Sequence, residues 1–574
     1  MRRRMHAPVM QLVFAAVVAA LSGVAYTGGA LPDAVEQAAN TIDAGDLRAH
    51  LRFLASDELQ GRGTGHAGNH VAELYLASLF ERLQLGRAAG AAYLQPVELY
   101  FSTLGEMNEL VASEQVNRAE VATCYVAGGD FYPHAASASR SVSAGVVFAG
   151  YGITAPEHRY DDYAGIDARG RLVVVFDGEP QSDDERSRFL GRAPTAHAGA
   201  EAKIANAKAH GAAGLLIVRA RMRDVKSVWP ADPPVRSRNF QMAGRVDRES
   251  LPIAVISTGA AEALLSSEAV PEERKAAALK KTIDDVLERA GDGAISAPAS
   301  FAVAGRQARL SIDLARERVV VHNVVGMVEG TDPELKQQIV VVGAHMDHDG
   351  LDAEGRVYNG ADDNGSGTVG VIEAAEAFAA AARGGRRPAR TVVFALWNGE
   401  EKGFLGSEYF VEHPAPAGRL VANVNLDMIG RNEDVPDPTD FRFRGLAKTT
   451  AAENTNTVHL LGYSYSPAFS ALVREENAAV GLTIRQVLDV SPQNLIRRSD
   501  QWPFLQQRIP AIFFTTGLHP DYHTPQDDVG KINFEKLEKI ARLAFRVTWR
   551  LATDAELPAY AEPRPSARAA HLEP

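Results

Sequence analysis

Near-continuous apolar runs that stop at an acid or a histidine mark the second half of the chain. "QQIVVVGAH" ends at His345, "TVVFALWNGEE" at Glu400 and Glu401, and "LVANVNLD" at Asp427, while "PAIFFTTGLHPDYH" reaches His523 just beyond its apolar part. Runs without alternation suit parallel strands buried on both faces. Helical patterns such as "TVGVIEAAEAFAAAAR" separate them. From Arg306 to about Thr553 the expectation is therefore an α/β fold, a mostly parallel sheet with helices on both faces. Upstream, "IDAGDLRAHLRFLASDELQGRGTG" and "HVAELYLASLFERLQLG" have apolar spacings of three and four, predicting two helices around a Gly-rich turn.

Between these parts the texture changes. "AGVVFAGYGIT", "GRLVVVFDGEP" and "LPIAVIST" read as strands, and "AEAKIANAKAHGAAGLLIVRA" as a helix leading into a strand. The charged, Ala-rich "SEAVPEERKAAALKKTIDDVLERAGDG" reads as a helix with a solvated face or as a linker. A smaller domain inserted in the larger one is expected, with no catalytic cluster of its own. At 574 residues the chain is too long for one hydrophobic core. The expected layout is a signal peptide at 1–30, catalytic segments at 44–135 and 306–553, an insert with linker at 141–300, and a disordered Pro- and Ala-rich tail at 554–574.

A formal net charge of -12 argues against nucleic acid and anionic membranes as partners. The N-terminus has a basic head, an apolar core from Leu12 to Val24 and small residues after it, the pattern of a secretory signal. The mature protein is expected to be secreted or periplasmic, without stable membrane insertion after signal cleavage. Cys124 is the single cysteine, so no internal disulfide can form.

In an open α/β sheet, ligands sit outside the carboxyl ends of the strands. Four strands thus deliver His345, Glu400 with Glu401, Asp427 and His523 to one rim, and "GADDNGSG" adds a carboxylate loop. So many acids at a half-buried rim call for a cation, and nitrogen and oxygen donors of this kind suit Zn(II).

The segments "GAHMDH", "NGADDNGSGTVGVIEAAEAF", "WNGEEKGFLGSEYF", "NLDMIG" and "DYHTPQDD", in this order, resemble the two-zinc exopeptidases typified by secreted bacterial leucyl aminopeptidases, a group that includes glutamate carboxypeptidase. The resemblance covers roughly 44–110 and 306–553, and the block Ser141 to Thr258 is similar to the protease-associated domain often inserted in such enzymes. It implies two zinc ions and peptide substrates. Asp363 would bridge the ions, with His345 and Asp427 completing one site and Glu401 and His523 the other. Glu400 would be the general base, Asp347 would accept the remaining N–H of His345, and Tyr522 would hydrogen-bond the tetrahedral oxyanion. Spacing alone does not separate Asp362 from Asp363; the family register favours Asp363.

His348, Asp349, Asp362, Asp521, Asp527 and Asp528 read as charged neighbours that solvate loops or cap helices. "SDQWPF" has Gln501 where relatives often carry His, which removes that histidine's role and leaves Asp500 as a substrate or supporting contact. Two alternatives share the fold: a carboxypeptidase, and a glutaminyl-cyclase-like acyltransferase, which typically uses one zinc. A receptor-like binding protein would lack several ligands, and here all are present. Carboxypeptidase action needs cations for the terminal carboxylate. Only Arg431, Arg442, Arg444, Arg497 and Arg498 lie near the motifs, and Arg431 reads as a salt-bridge partner. The acid-rich rim favours a free α-amine and hence an aminopeptidase.

Overall fold

The computed structural model describes residues 31–563 except 89–92, 183, 185–186, 190–194, 220–239, 246–250, 267–272, 274, 291–292, 297, 353, 441 and 492. The expected signal peptide and the last part of the tail lie outside the described residues. Among the described residues no helix is long and apolar enough to cross a membrane.

The larger sheet is parallel at its centre. Thr391–Trp397, Gln338–His345, Arg419–Leu426 and Ala511–Thr515 lie side by side in that order, all parallel. Val340, Val341, Val342, Phe394 and Val424 in these strands are fully buried, as their unbroken apolar runs require. Toward the edges the pairing turns antiparallel. Leu314–Val328 and then Leu94–Leu104 flank one side, and Thr457–Leu461 flanks the other.

Helices cover both faces. Ala44–Leu54, Ala67–Arg82, Gly367–Arg383 and Phe534–Thr553 pack on one side through a large shared core. Gly367–Arg383 is buried on nearly every side, which its Ala- and Val-rich sequence permits. Leu405–Glu412 and Gln501–Gln506 contribute Phe410, Phe504 and Leu505 to a second core on the opposite face.

A second, eight-stranded sheet forms the inserted domain. It contains the expected strands Ser141–Phe148, Leu172–Phe176, Gly214–Arg219 and Ile253–Ser257, paired mostly in parallel. The segment read as helix or linker is the helix Ala276–Ala290, whose Leu279, Ile283 and Leu287 enter this domain's core.

The expected boundaries need correction. Glu109–Val116, Ala119–Tyr125 and Phe131–Pro133, assigned to the first catalytic segment, belong to the second sheet, as does Phe301–Ser311, which runs past the expected restart at 306. The insert hangs from the end of one hairpin: Leu104 pairs directly with Leu314, and the Gly105 N–H donates to Asp313 O at 2.9 Å. Conversely, Phe240–Met242 leaves the insert's stretch and pairs with Leu99 to Phe101 at the edge of the larger sheet. The tail is not disordered at its start: the Ala561 N–H donates to Tyr465 O at 2.7 Å, and Arg508 lies over the Tyr560 ring.

Candidate metal centre

Because the four central strands run parallel, their carboxyl ends share one rim. His345 is the last residue of its strand, Asp427 follows Leu426 directly, and Glu400 and Glu401 open a short turn just past Trp397. His523 lies in the loop after Thr515. Asp363 comes from the turn before the helix Gly367–Arg383. That turn begins at Gly360, whose φ is +54° and where a Cβ would fall 2.2 Å from Asp363 O and 2.4 Å from the His348 ring. A side chain there would displace the bridging loop.

Asp363 lies between two imidazoles. Its Oδ1 is 3.4 Å from His345 Nε2, and its Oδ2 is 3.0 Å from His523 Nε2. Asp427 Oδ1 is 3.4 Å from His345 Nε2, and Glu401 Oε1 is 3.7 Å from His523 Nε2. Glu400 Oε2 reaches to 3.9 Å from His345 Nε2. Asp362 points elsewhere, accepting the Gly430 and Arg431 N–H groups at 2.6 and 3.1 Å. Geometry thus separates the two aspartates that spacing left open.

These side chains fit a pair of cations. Asp363 Oδ2 and Asp427 Oδ1 are buried and make no well-directed hydrogen bond, although ring nitrogens lie close by. Nitrogen and oxygen lone pairs converging on shared points, rather than on each other's protons, are what an ion needs. Burial pushes the Glu400 carboxyl well above the usual range, with Glu401, Asp500 and Asp427 adding to the rise against His345. Burial also raises Asp427. At Asp363 burial acts upward but is outweighed by His348, His345 and His523, which hold it well below the usual carboxylate value. A bound divalent cation would hold all of these acids ionised.

Asp347 acts differently from the expectation. The ring Nδ1 of His345 meets the main-chain carbonyl of Asp347 at 3.1 Å, while the Asp347 carboxylate is 4.0 Å away. That carboxylate instead accepts the Glu400 N–H at 3.1 Å and Thr64 Oγ1 at 2.7 Å. It positions the turn that carries Glu400. Tyr522 lines the cavity, packs its ring tilted against that of His523, and accepts a hydrogen bond from Arg498 Nη2 at 3.0 Å. Burial pushes its phenol up to about 12, so the O–H remains a donor.

Of the residues read from the sequence as loop neighbours, two face the centre's side chains and two brace its loop. Asp349 Oδ2 lies 3.0 Å from His523 Nδ1. His348, fully buried, places Nδ1 2.8 Å from Glu401 Oε1. Asp527 accepts the Asp362 and Asp363 N–H groups at 3.0 Å. Asp362 braces the loop as described. Asp521 pairs with Arg431 and Lys531, and Asp528 caps a short turn through Gly530 N–H, as surface acids do. Arg62, also missed, is buried and donates to the carbonyls of Met346, Asn359 and Gly360, joining the "GRGTG" turn to both metal-facing loops. Its signal was a glycine-flanked arginine in a conspicuous turn. Gln501 is structural, bonded to Ile496 O and Asn425 Nδ2, and Asp500 accepts from Ser407, its carboxyl raised by burial to about 7.

A cavity of about 340 Å³ opens over these ligands. Phe404, Met428, Leu495, Phe513 and Leu518 form its apolar wall, and Arg497 and Arg498 are the cavity's arginines. Arg431 instead pairs with Asp521 at 2.7 Å, and Arg442 with Asp440 at 3.0 Å.

Residues 323–548 match the model of peptidase family M28. The matched segment contains every ligand candidate and bears out the resemblance of the motifs, while the block Ser141 to Thr258 lies outside it. Over 128 residues the chain is 34% identical to an aminopeptidase of Pseudomonas aeruginosa, covering 22% of this chain and 21% of that one. Over 121 residues it is 37% identical to a probable leucine aminopeptidase of Trichophyton verrucosum, covering 21% and 34%. The matched stretch thus spans about a third of these relatives or less. In fold, the chain is similar to an aminopeptidase from Aneurinibacillus sp. strain AM-1, with a TM-score of 0.51 at 18% identity over 91% of this chain and 97% of that one.

Proposed function

We propose that the chain is a two-zinc exopeptidase that removes amino-terminal residues from peptides. The observation that carries this reading is Asp363, whose two oxygens face different imidazoles while Asp427 and Glu401 stand on either side. His345, Asp427 and Asp363 would hold one ion, and Glu401, His523 and Asp363 the other. When bound, such ions lower the pKa of water and polarise a carbonyl.

The rest falls to the protein. Glu400, held at the rim through its own N–H on Asp347, is placed to take a proton as the water oxygen bonds to the carbonyl carbon. Tyr522, oriented by Arg498, offers its O–H to the developing oxyanion. Glu400 then returns the proton to the departing amine as the C–N bond breaks. The apolar wall suits an aliphatic or aromatic side chain.

The carboxylate-rich floor favours a free α-amine. Arg497 and Arg498 at the wall support the second reading, a carboxypeptidase. The discriminating assay pairs a free-amine peptide amide with an N-acetyl peptide bearing a free carboxylate, at equal zinc loading. The first should be cleaved and the second spared; cleavage of the second alone, from its carboxyl end, makes the enzyme a carboxypeptidase. Two zinc ions per chain, rather than one, would also set it apart from a glutaminyl-cyclase-like enzyme. We further propose export to the periplasm or medium through the leader at 1–30; a purified protein that still begins at Met1 contradicts that.

A further inference from the structure

We infer that His70, Glu73 and His322 form a third divalent-cation site, separate from the centre at Asp363. His70 and Glu73 are three apart on the helix Ala67–Arg82 and so share a face. His322 projects from the neighbouring strand Leu314–Val328. The Nδ1 atoms of both histidines converge on one carboxylate oxygen, Glu73 Oε2, at 2.9 and 3.0 Å.

The carboxylate is built into the fold. Its other oxygen, Oε1, accepts the His322 N–H and Asn398 Nδ2, each at 2.8 Å, so Oε2 is held facing the two rings. Burial is graded outward, with side-chain exposures of 2% for Glu73, 23% for His322 and 58% for His70. That leaves an open side for water ligands and for exchange of the ion. Donors around tetrahedral zinc, bonded at about 2.0–2.1 Å, stand about 3.3 Å apart. The present separations need widening by only a few tenths of an ångström, which the exposed His70 ring can supply. Two imidazole nitrogens and one carboxylate oxygen suit zinc and its neighbours, not calcium or magnesium.

An ion here would tie the helix to the strand. Through Asn398, two residues before Glu400, it would also stiffen the turn carrying the adjacent glutamates. Glu73 is best left intact in a test, because it holds Asn398.

The experiment is zinc content by mass spectrometry after dialysis of the full-length enzyme against buffered micromolar zinc. Its second readout is the zinc-induced rise in melting temperature. Wild type should carry one equivalent more than the His70→Ala/His322→Ala variant, and that variant should lose the extra thermal shift. His413→Ala, which removes an exposed histidine elsewhere, should keep both. Equal zinc in wild type and the double variant, or an equal loss in His413→Ala, overturns the site. Because the readout is a difference between variants, it stands or falls independently of how many ions the Asp363 centre takes.

Discussion

Asp349 Oδ2 lies 3.0 Å from His523 Nδ1, on the ring edge opposite the Nε2 that faces Asp363. A carboxylate in that position fixes the ring's tautomer and orientation and raises its basicity. Asp349→Ala should therefore weaken metal binding roughly 10- to 100-fold with the ligands themselves untouched. Competition with a chelator of known affinity measures this directly. Unchanged affinity would reduce Asp349 to a loop acid.

The adjacent Glu400 and Glu401 should separate chemistry from binding. Glu401 Oε1 faces both His348 and His523, whereas Glu400 stands toward His345 at 3.9 Å with its backbone on Asp347. Glu400→Gln should keep its metal and lose at least about 100-fold in kcat. Glu401→Gln should lose metal first. Metal analysis showing the reverse pattern would exchange their roles.

The strand-borne half of this site was readable from the sequence because each unbroken apolar run ends at a donor, and parallel strands put those ends together. What escaped was set by the loops between them. His348 and Asp349 lie just past the strand that ends at His345, and nothing in a linear pattern shows that this stretch returns them to Glu401 and His523. The resemblance gives the Asp347 carboxylate the N–H of His345, but the chain has left the strand by then, so that carboxylate turns to Thr64 and Glu400. The insert's boundary was misread for another reason. Strands such as Glu109–Val116 have the same half-buried texture in either sheet, and only long-range pairing with Phe301–Ser311 assigns them.

A pH effect should come from outside the centre. Glu373, 1% exposed on the helix Gly367–Arg383, has its carboxyl raised by burial to about 8, with Glu376, Asp46 and Asp43 adding to the shift. The unfolded chain titrates near the ordinary 4.5. Between these values the folded state keeps a proton that the unfolded state has released, so stability falls as pH rises from about 4.5 to about 8. Glu373→Gln should flatten that fall by an amount on the order of a few kcal/mol, seen in urea unfolding at pH 5 and pH 8 with zinc held constant. Parallel pH profiles for the two proteins would mean that Glu373 is not the group responsible.

Removing the insert tests what it contributes. Leu104 and Leu314 are direct partners in an antiparallel ladder, so a two-residue Asn-Gly turn can join them without altering the strands' spacing. The deletion also removes Phe240–Met242 and the Arg245 pairs to Glu408 and Glu412, which exposes one edge of the catalytic sheet. Some loss of stability is therefore expected, but no loss of metal ligands. Between the two parts lies a cavity of about 610 Å³, lined by Glu201 and Lys208 of the insert and by Lys402 and Leu405 of the catalytic domain. Gly403 borders both this cavity and the one over the ligands. A dipeptide amide is about the size of the inner cavity, and a longer peptide that extends past Gly403 would reach the outer one. The shortened chain should keep its kcat/KM for dipeptide amides within about tenfold and change it more for peptides of six or more residues, since only those reach the lost wall. A soluble, fully metal-loaded shortened chain that cleaves neither class would show that the insert supplies part of the reacting centre itself.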